Sequence, residues 1–355
     1  MKDLDSIRQA IDSLDAEMVE LLNRRATLAQ NIGTLKGRDG KPFFSPERER
    51  QVFELLKANN QGPLLNQQLR AIYREVISAA RALEQQIKVA YWGPPGTFTN
   101  MAAAQCFGSS SQLVPTDSIN DVFLTIERGE ADYGVVPVEN SLGGVVPETL
   151  DAFPMTNVKI CSEVILPIRH HLVSSCESLD EVQSVFAGPQ PVAQCRRWLR
   201  DHLPKAEIIE VVPTSRAAER ALNHPNSAAI ANELGAEILG IPILVPHIQD
   251  HANNRTRFLV VGFNEPAKTG RDKTSLMFNL RNQPGELYHA LGALYKHEVN
   301  LQMIESRPAQ RSQFEYLFFV DCIGHRQDAN VSSAIEELGG LALETVNLGS
   351  YPSAD

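Results

Sequence analysis

The N-terminal stretch from Leu4 to Lys36 constrains the fold most, because it forms one amphipathic pattern that is too long for a compact domain to bury alone. Its apolar residues recur in alternating steps of three and four with one position missing, and Arg25 occupies that position. A helix of this length spans roughly 50 Å at ~1.5 Å per residue. The repeat is typical of a coiled-coil seam, so we expect a partner helix from a second chain. The apolar positions are Leu4, Ile7, Ile11, Leu14, Met18, Leu21, Leu28, Ile32 and Leu35.

Arg25 in this seam points to an anionic partner. A guanidinium group cannot lose its charge, and burying it without a counter-charge would cost several kcal/mol of desolvation energy. Arg25 and Lys36 are eleven residues apart, which places them nearly on one helix face, whereas Arg8 is rotated roughly 100° from them. Arg8 could therefore reach the same pocket only from a partner chain. The alternative is that Arg8 and Lys36 are solvated flanking residues.

Length, charge and cysteine usage exclude several classes of protein. The 355 residues suffice for about two or three domains. A formal charge of −10 disfavours bulk binding to nucleic acid or to an anionic membrane. The start is acidic and helical, and no apolar run approaches ~18 residues, so we expect a cytoplasmic protein without a membrane segment. The five cysteines lack C-x-x-C spacing, which disfavours a disulfide framework and a zinc site, and they are Cys106, Cys161, Cys176, Cys195 and Cys322.

The first 87 residues predict three helices and no strand. A Gly/Pro-rich break ends the first helix, and Ser45 followed by Pro46 begins the second, which should run to about Lys57. After another break, the third helix repeats the three-four spacing of the first, and Glu84 lies in its last turn. This part of the chain is therefore expected to be all-α.

Beyond residue 87 the period changes and short apolar strands alternate with helices. This alternation predicts an α/β domain with largely parallel sheets, in which the stretch SEVILPIRHHLVS at 162–174 forms one strand. A polar Pro/Gly linker follows at 264–272. After it the elements are expected in the order βαββαβ, which is the ferredoxin-like pattern.

The helical region resembles the chorismate mutase domain that begins the bifunctional chorismate mutase/prephenate dehydratases. The motifs that carry the resemblance are IRQAIDSLD, LLNRRATLAQNIGTLK, SPERER and REVISAARALEQ. Rearranging chorismate to prephenate needs no nucleophile, only cations that hold a dicarboxylate and a donor to the ether oxygen. The resemblance implies an intertwined dimer with a substrate site formed by Arg8 of the other chain, Arg25, Lys36, Arg48, Glu49 and Glu84.

The resemblance also assigns roles within that mutase site. Lys36 would donate to the ether oxygen, and Glu49 would hold the ring hydroxyl. Glu84 stands where other members have Gln, and a carboxyl group can donate to the ether oxygen only when it is protonated, so mutase activity should fall as pH rises. Ser45 replaces an acidic residue found in some members.

The middle region resembles the prephenate dehydratase domain in the order and spacing of five motifs. These are GPPGTFT, ENSLGG, PQPVAQC, PTSRAAE and NNRTRF, within a match from about Lys88 to Gly262. The resemblance implies two α/β lobes like a periplasmic-binding-protein fold, with Thr256 as the acid that protonates the departing hydroxyl. Arg216 stands where many members have a small hydroxyl residue, and His170 and His171 are interpreted as packed strand residues. The implied substrate ligands are Glu139, Asn140, Ser141, Gln194, Thr214, Ser215 and Thr256.

The C-terminal region resembles an ACT regulatory domain, on the motifs PGEL, NL and ESRP. The resemblance implies phenylalanine as an allosteric inhibitor that binds between chains, although Glu286 departs from the commoner small residue. The implied effector ligands are Gly285, Glu286, Leu287, Asn300, Leu301, Glu305, Ser306, Arg307 and Pro308.

Taken together, these resemblances predict a multidomain enzyme. They imply an all-α mutase domain at 1–87, an α/β two-lobed dehydratase domain at 88–266 and an α+β ferredoxin-like ACT domain at 272–355. The dehydratase lobes are placed roughly at 88–166 plus 248–266 and at 167–247.

The expected function is conversion of chorismate to prephenate and then to phenylpyruvate, with inhibition by phenylalanine. Neither a metal nor an organic cofactor is implied, and the expected assembly is a homodimer or a higher homo-oligomer. Two alternatives remain open at this point. The chain could be a monofunctional dehydratase whose helical domain only dimerises it, or a non-enzymatic amino-acid sensor.

Overall fold

The computed structural model describes residues 3–39, 41–212, 216–308 and 316–354. The described residues fold into two compact units. The first comprises those up to Lys88 together with Ala104–Gln112, and the second comprises Val89–Ala103 together with those from Leu113 onward. No helix within the described ranges is long and apolar enough to cross a membrane.

The first unit contains the three predicted helices, α1 at Leu4–Asp39, α2 at Pro46–Asn59 and α3 at Asn66–Glu84. Ser45 is the residue before α2 as expected, but its hydroxyl donates to the Glu47 carboxylate (2.6 Å) and does not cap a backbone amide. The C-terminal part of α1 packs against α3 at Gly33, the one buried residue of α1. A Cβ at Gly33 would lie 2.8 Å from the Cβ of Glu84, so only glycine permits this approach.

The apolar seam of α1 is not covered within one chain. Each of its nine apolar residues is between 45% and 65% exposed. Together they form a contiguous apolar surface, whereas a monomer normally exposes apolar side chains singly.

The second unit begins with an α/β region whose elements follow one another in chain order. The first are β1 (Lys88–Trp92), α4 (Phe98–Phe107), β2 (Gln112–Thr116), α5 (Ile119–Glu127), β3 (Tyr133–Asn140), β4 (Gly144–Val145), α6 (Pro147–Ala152) and β5 (Lys159–Pro167). The next are β6 (His171–Ser174), β7 (Ser184–Ala187), α7 (Pro189–Gln194), α8 (Arg196–His202), β8 (Glu207–Glu210), α9 (Arg216–Leu222), β9 (Ser227–Ala231), α10 (Glu233–Leu239) and β10 (Ile243–Val245). Strand β11 (Arg255–Gly262) closes the region, and short 3₁₀ helices lie at Phe153–Met155 and Leu179–Glu181.

These strands form two sheets, one in each lobe. The first has the order β2-β1-β3-β11-β5 with β4 paired to β3, and the second has the order β10-β6-β9-β7-β8. Strand β11 inserts between β3 and β5 and runs antiparallel to both, because the chain returns through it from the second lobe to the first. Apolar clusters fill the space on the faces of both sheets.

Two expectations about this region were wrong. The sheets are mixed, not largely parallel, since β1, β7, β8 and β9 pair in parallel whereas β6, β10 and β11 pair antiparallel. The stretch at 162–174 is also not one strand. Strand β5 of the first sheet ends at Pro167, and strand β6 of the second sheet begins at His171. The residues between them, 168–170, cross from one lobe to the other.

The C-terminal region has the predicted βαββαβ order. Its elements are β12 (Asp272–Leu280), α11 (Glu286–Lys296), β13 (Leu301–Pro308), β14 (Tyr316–Ile323), α12 (Ala329–Leu341) and β15 (Glu344–Pro352). The antiparallel sheet has the order β13-β14-β12-β15, and both helices pack on one face over a core that includes Leu276, Leu294 and Leu338. On the other face, Met277, Phe319 and Tyr351 join the apolar cluster of the first lobe.

Candidate functional site

Lys36 and Glu84 form the centre of the first candidate site. The Lys36 ammonium group donates to the Phe43 carbonyl (3.2 Å) and to Glu84 Oε2 (3.4 Å). The two side chains are 23% and 10% exposed, so the pair is largely shielded from water. Gly33 lies one turn before Lys36 and permits α1 to approach α3 closely enough for this contact.

Glu49 lies beside this pair and is held by an arginine that the sequence reasoning did not single out. Arg81 of α3 is 4% exposed and donates from Nη1 to Glu49 Oε1 (2.6 Å). Burial raises the pKa of Glu49, while the charges of Arg81 and Lys36 oppose that rise. Arg81 lies off the apolar stripe of α3, so no local sequence signal predicts its burial.

Arg81 is itself fixed by the segment 104–112. Its Nη2 donates to the Phe107 carbonyl (2.6 Å), and the guanidinium carbon lies 5.3 Å and 5.5 Å from the ring centres of Phe44 and Phe107. These contacts fix the guanidinium group and thereby the orientation of the Glu49 carboxylate.

The three other predicted mutase residues are less constrained in one chain. Arg25 is half-buried and has neither a hydrogen bond nor an ion pair within the described ranges. Arg48 is exposed and donates to Gln51 (3.1 Å). Arg8 is exposed, lies 3.6 Å from Asp5, and is roughly 40 Å from Lys36 along α1 at ~1.5 Å per residue. The chain thus brings Lys36, Glu49 and Glu84 together and leaves Arg8 remote from them.

Thr256, Asn140 and Ser141 form the centre of the second candidate site. Thr256 on β11 is the direct cross-strand partner of Asn140 on β3. Asn140 Nδ2 donates to Thr256 Oγ1 (2.8 Å), while its Oδ1 accepts from the amides of Leu142 and Gly143 (3.0 and 2.8 Å). The ENSLGG turn therefore fixes the Asn140 amide group, which in turn fixes the threonine hydroxyl.

This arrangement leaves the Thr256 proton available for chemistry. Thr256 is 8% exposed, and within the described part of the chain its hydroxyl accepts from Asn140 but donates to no acceptor. Donation from Asn140 polarises the O–H bond, so a departing hydroxyl of a bound ligand would be a suitable acceptor. Ser141 Oγ accepts from the Arg255 amide (2.9 Å) and ties the turn to β11.

Asn254 is a second residue that the sequence reasoning missed. Its Oδ1 accepts from Asn140 Nδ2 (2.8 Å), and its own Nδ2 is buried without a hydrogen-bond partner among the described atoms. A buried unpaired donor is costly, which suggests that it serves a ligand. Asn254 lies in the motif NNRTRF, in which the resemblance assigns a role only to Thr256, two residues further on.

Gln194 and Glu139 are placed differently from Asn140. Gln194 Oε1 lies 2.6 Å from Nε2 of His170, and this histidine is 3% exposed. Burial lowers the pKa of His170 further than the contact with Gln194 raises it. Glu139 is the cross-strand partner of Arg257 and lies 3.9 Å from its guanidinium group, on the sheet face opposite Thr256. The predicted ligands Thr214 and Ser215 lie outside the described residues. Arg216 is exposed at the start of α9.

The GPPGTFT loop is engaged within the protein and contacts the second lobe. The Gly93 amide donates to the Thr116 carbonyl (2.9 Å), and the Gly96 amide donates to Asn100 Oδ1 (3.0 Å). Both amides are therefore hydrogen-bonded within the protein. The Gly96 carbonyl accepts from Asn232 Nδ2 (2.8 Å), which joins the two lobes at this loop.

The predicted effector residues lie at the two ends of the C-terminal sheet, whose strand order is β13-β14-β12-β15. Leu280 and Pro308 both pair with Tyr316, so the segments 285–287 and 305–308 share one end of the sheet. Leu301 pairs with Cys322, which places Asn300 and Leu301 at the other end. One chain therefore does not bring all of these residues together. Residue exposure alternates along β13, the edge strand of the sheet.

Two further features bear on the chemistry of these sites. Arg307 makes a bidentate ion pair with Asp151 of α6, at 2.9 and 2.7 Å.

Within the described ranges, no group of three or more His, Cys, Asp or Glu side chains is arranged to hold a metal ion.

Comparison with known proteins identifies each part of the chain. Residues 7–85 match chorismate mutase type II, residues 89–266 match prephenate dehydratase and residues 274–340 match the ACT domain. A bifunctional chorismate mutase/prephenate dehydratase of Aquifex aeolicus is 44% identical over 358 residues, which cover 100% of this chain and 99% of that protein. The enzyme of the same description from Stutzerimonas stutzeri is 40% identical over 357 residues, covering 99% of this chain and 98% of that protein.

A solved structure supports the assignment of the dehydratase part of the chain. A prephenate dehydratase from Arthrobacter aurescens, in complex with L-Phe, superposes with a TM-score of 0.69 at 33% identity and covers 75% of this chain and 90% of that chain. The resemblance inferred from the sequence is thereby confirmed. The chain belongs to the family of bifunctional chorismate mutase/prephenate dehydratases.

Proposed function

We propose that this chain converts chorismate to prephenate in its helical domain and prephenate to phenylpyruvate in its two-lobed domain. The observation that carries this proposal is the presence of two separate polar sites on one chain. One is built around Lys36 and Glu84, and the other around Thr256 and Asn140.

The first site suits a pericyclic rearrangement. This reaction needs no nucleophile, but its transition state accumulates negative charge on the ether oxygen of chorismate. Lys36 is the donor to that oxygen, and Glu84, its ion-pair partner in the free enzyme, adjoins the same position. Glu49 binds the ring hydroxyl, with Arg81 fixing its carboxylate. Arg25 and Arg48 bind the substrate carboxylates.

The second site suits the loss of a hydroxyl and a carboxylate from prephenate. Aromatisation drives this reaction, so the enzyme has to protonate the departing hydroxyl and orient the substrate. Thr256 supplies the hydrogen bond to the leaving oxygen because Asn140 already donates to its Oγ. Among the described residues, Asn140, Ser141 and Gln194 complete the substrate site. The sequence resemblance adds Thr214 and Ser215, which lie outside the described residues. Neither reaction requires a metal or an organic cofactor.

The mutase site is completed by a second chain. The exposed apolar seam of α1 supports dimerisation, and Arg8 lies too far along α1 to reach Lys36 of its own chain. The partner chain therefore delivers Arg8 to the site. Arg8→Ala and Arg25→Ala should each abolish mutase activity, and an exchanged mixture of the two variants should recover about a quarter of it, since one site of each mixed dimer is intact. No recovery despite subunit exchange would contradict the shared site.

The ACT domain binds phenylalanine between chains and inhibits the dehydratase. The division of its predicted ligands between the two ends of one sheet supports a site shared by two chains, with the edge strand β13 at the contact. A coupling of ~1 to 3 kcal/mol is typical of such regulation. We also assign the protein to the cytoplasm, because the scattered spacing of its five cysteines disfavours a disulfide framework, as is usual for proteins of a reducing compartment.

The identity of the product formed from chorismate tests this function. We expect phenylpyruvate from chorismate and from prephenate. Phenylpyruvate from prephenate alone would leave only the dehydratase, and accumulated prephenate would leave only the mutase. No turnover of either substrate would contradict both assignments.

A further inference from the structure

Arg257 is the neighbour of Thr256 on β11, and its side chain lies on the opposite face of the sheet. Successive residues of a strand alternate between faces, so Thr256 meets Asn140 on one face while Arg257 turns toward the ACT domain on the other. The pairing register between β11 and β3 shifts directly after Arg257. The two side chains share one peptide unit, and therefore a displacement of one is transmitted to the other.

The guanidinium group of Arg257 uses each of its nitrogens to bridge the two domains. Nε donates to Glu163 Oε2 on β5 (2.6 Å), Nη1 to Asp321 Oδ2 on β14 (2.5 Å) and Nη2 to the Tyr351 hydroxyl on β15 (2.9 Å). Glu139 on β3 approaches Nη1 at 3.9 Å. One side chain thus connects β11 to two strands of the dehydratase sheet and to two strands of the ACT sheet.

The partners of Arg257 are fixed by a second layer of contacts. Lys273 on β12 donates to both oxygens of Glu163 (2.8 and 3.1 Å). Ser275 on β12 donates to Asp321 Oδ1 (2.5 Å) and lies 2.7 Å from the Tyr351 hydroxyl. Three of the four ACT strands therefore contribute a side chain to this network.

Four charged members of the network are buried and their formal charges balance, while Glu139 lies at its edge and is 43% exposed. The Arg257, Glu163, Asp321 and Lys273 side chains are 10%, 0%, 3% and 11% exposed, and two positive charges face two negative charges. A buried charge tolerates little displacement, because a broken pair leaves an uncompensated ion. The ACT sheet and the residue next to Thr256 are consequently held at a fixed distance.

We propose that Arg257 is a positioning residue for Thr256, through which Asp321 and Tyr351 of the ACT domain set the geometry of the dehydratase site. The proposal rests on the proposed function of Thr256. Asn140 fixes the Thr256 hydroxyl from one face of the sheet, and the Arg257 network fixes its backbone from the other. A movement of β14 or β15 changes the position of β11 and thereby the direction in which Thr256 donates.

Tyr351→Phe tests the proposal with the smallest change of shape, since it removes only the hydroxyl that Arg257 and Ser275 contact. In the full-length protein we expect kcat for prephenate to fall at least about tenfold while KM stays within about twofold, because misplacement of a catalytic group by a fraction of an ångström affects the chemical step first. Arg257→Lys should retain more activity than Arg257→Met, since it keeps the charge but not the three-way geometry.

Lys159→Met is the matched control. Lys159 on β5 donates to the Asn347 carbonyl on β15 (2.6 Å), so its loss removes another contact between the same two sheets without touching Arg257. We expect its kcat to equal that of the wild type. The proposal is overturned if Tyr351→Phe and both Arg257 variants keep wild-type kcat, or if Lys159→Met loses as much kcat as Tyr351→Phe. Failure of the proposed function would differ from both, because the wild-type protein itself would not consume prephenate.

Discussion

Gly33 gives a sharp test of how the mutase site is built. Gly33→Ala adds a Cβ that would lie 2.8 Å from the Cβ and 3.0 Å from the Cα of Glu84. Because Glu84 lies at the end of α3, relief of this overlap requires α1 and α3 to separate. That separation lengthens the contact between Lys36 and Glu84, which is already 3.4 Å. Gly37→Ala is the matched control, since a Cβ there meets nothing within 4 Å among the described residues.

The two substitutions share one effect on stability and differ in another. Replacing a helical glycine by alanine stabilises a helix by about 1 kcal/mol in both cases. Only Gly33→Ala adds an overpacking cost of about 1 to 3 kcal/mol. We therefore expect Gly37→Ala to be about 1 kcal/mol more stable than the wild type, and Gly33→Ala to be about 1 to 3 kcal/mol less stable than Gly37→Ala.

Urea titration with mutase activity as the probe measures this difference. With a slope of roughly 1 to 2 kcal/mol per M, the urea midpoints of the two variants should differ by about 0.5 to 3 M. In native buffer, Gly33→Ala should lose about tenfold in mutase kcat, while both variants keep dehydratase activity. Equal midpoints and equal mutase kcat for the two variants would refute the close packing of α1 on Glu84.

Three further predictions concern single side chains. Arg81→Met should lower mutase kcat/KM by about tenfold or more, because Glu49 loses the buried cationic group that it contacts on α3. Steady-state kinetics measure this loss, with dehydratase activity as the internal control. Asn254→Asp should weaken prephenate binding about tenfold, because a carboxylate would replace the amide donor Nδ2 beside the two carboxylates of prephenate. A KM for prephenate equal to that of the wild type would count against a ligand role for Asn254. Burial raises the pKa of Glu163, but Arg257 and Lys273 lower it further than burial raises it. The ion pairs of Glu163 therefore stabilise the fold fully above pH 4.5, the ordinary pKa of a glutamate, and this stabilisation is lost as pH falls through the lowered pKa. The difference in Tm between the wild type and Glu163→Gln should accordingly shrink on acidification below pH 4.5.

The elements that repeat a simple period were predictable from the sequence. The three-four spacing of the first helix, the break before Pro46 and the βαββαβ order all appear in the structure. Thr256 and Asn140, which the resemblance selected 116 residues apart in the chain, are cross-strand partners. The exact domain limits and the roles of the site residues stay predictions.

Features that depend on distant segments were not predictable. Arg81 reads as an exposed helical residue until the segment 104–112 covers it. Strand β11 reads as one more parallel strand, because nothing local shows that it returns from the other lobe and inserts between β3 and β5. Arg257 reads as a polar strand residue, since the acidic partners Glu163 and Asp321 lie on other elements. In each case a long-range contact overrides the local pattern.

The central claim is that one chain carries two reactions on separate residues, and product analysis of two variants supplied with chorismate tests it most directly. Thr256→Ala should accumulate prephenate at the wild-type rate, and Lys36→Met should leave chorismate unconverted yet still form phenylpyruvate from added prephenate. Formation of phenylpyruvate by Thr256→Ala at the wild-type rate, or loss of both activities in Lys36→Met while the protein remains folded, would contradict the claim.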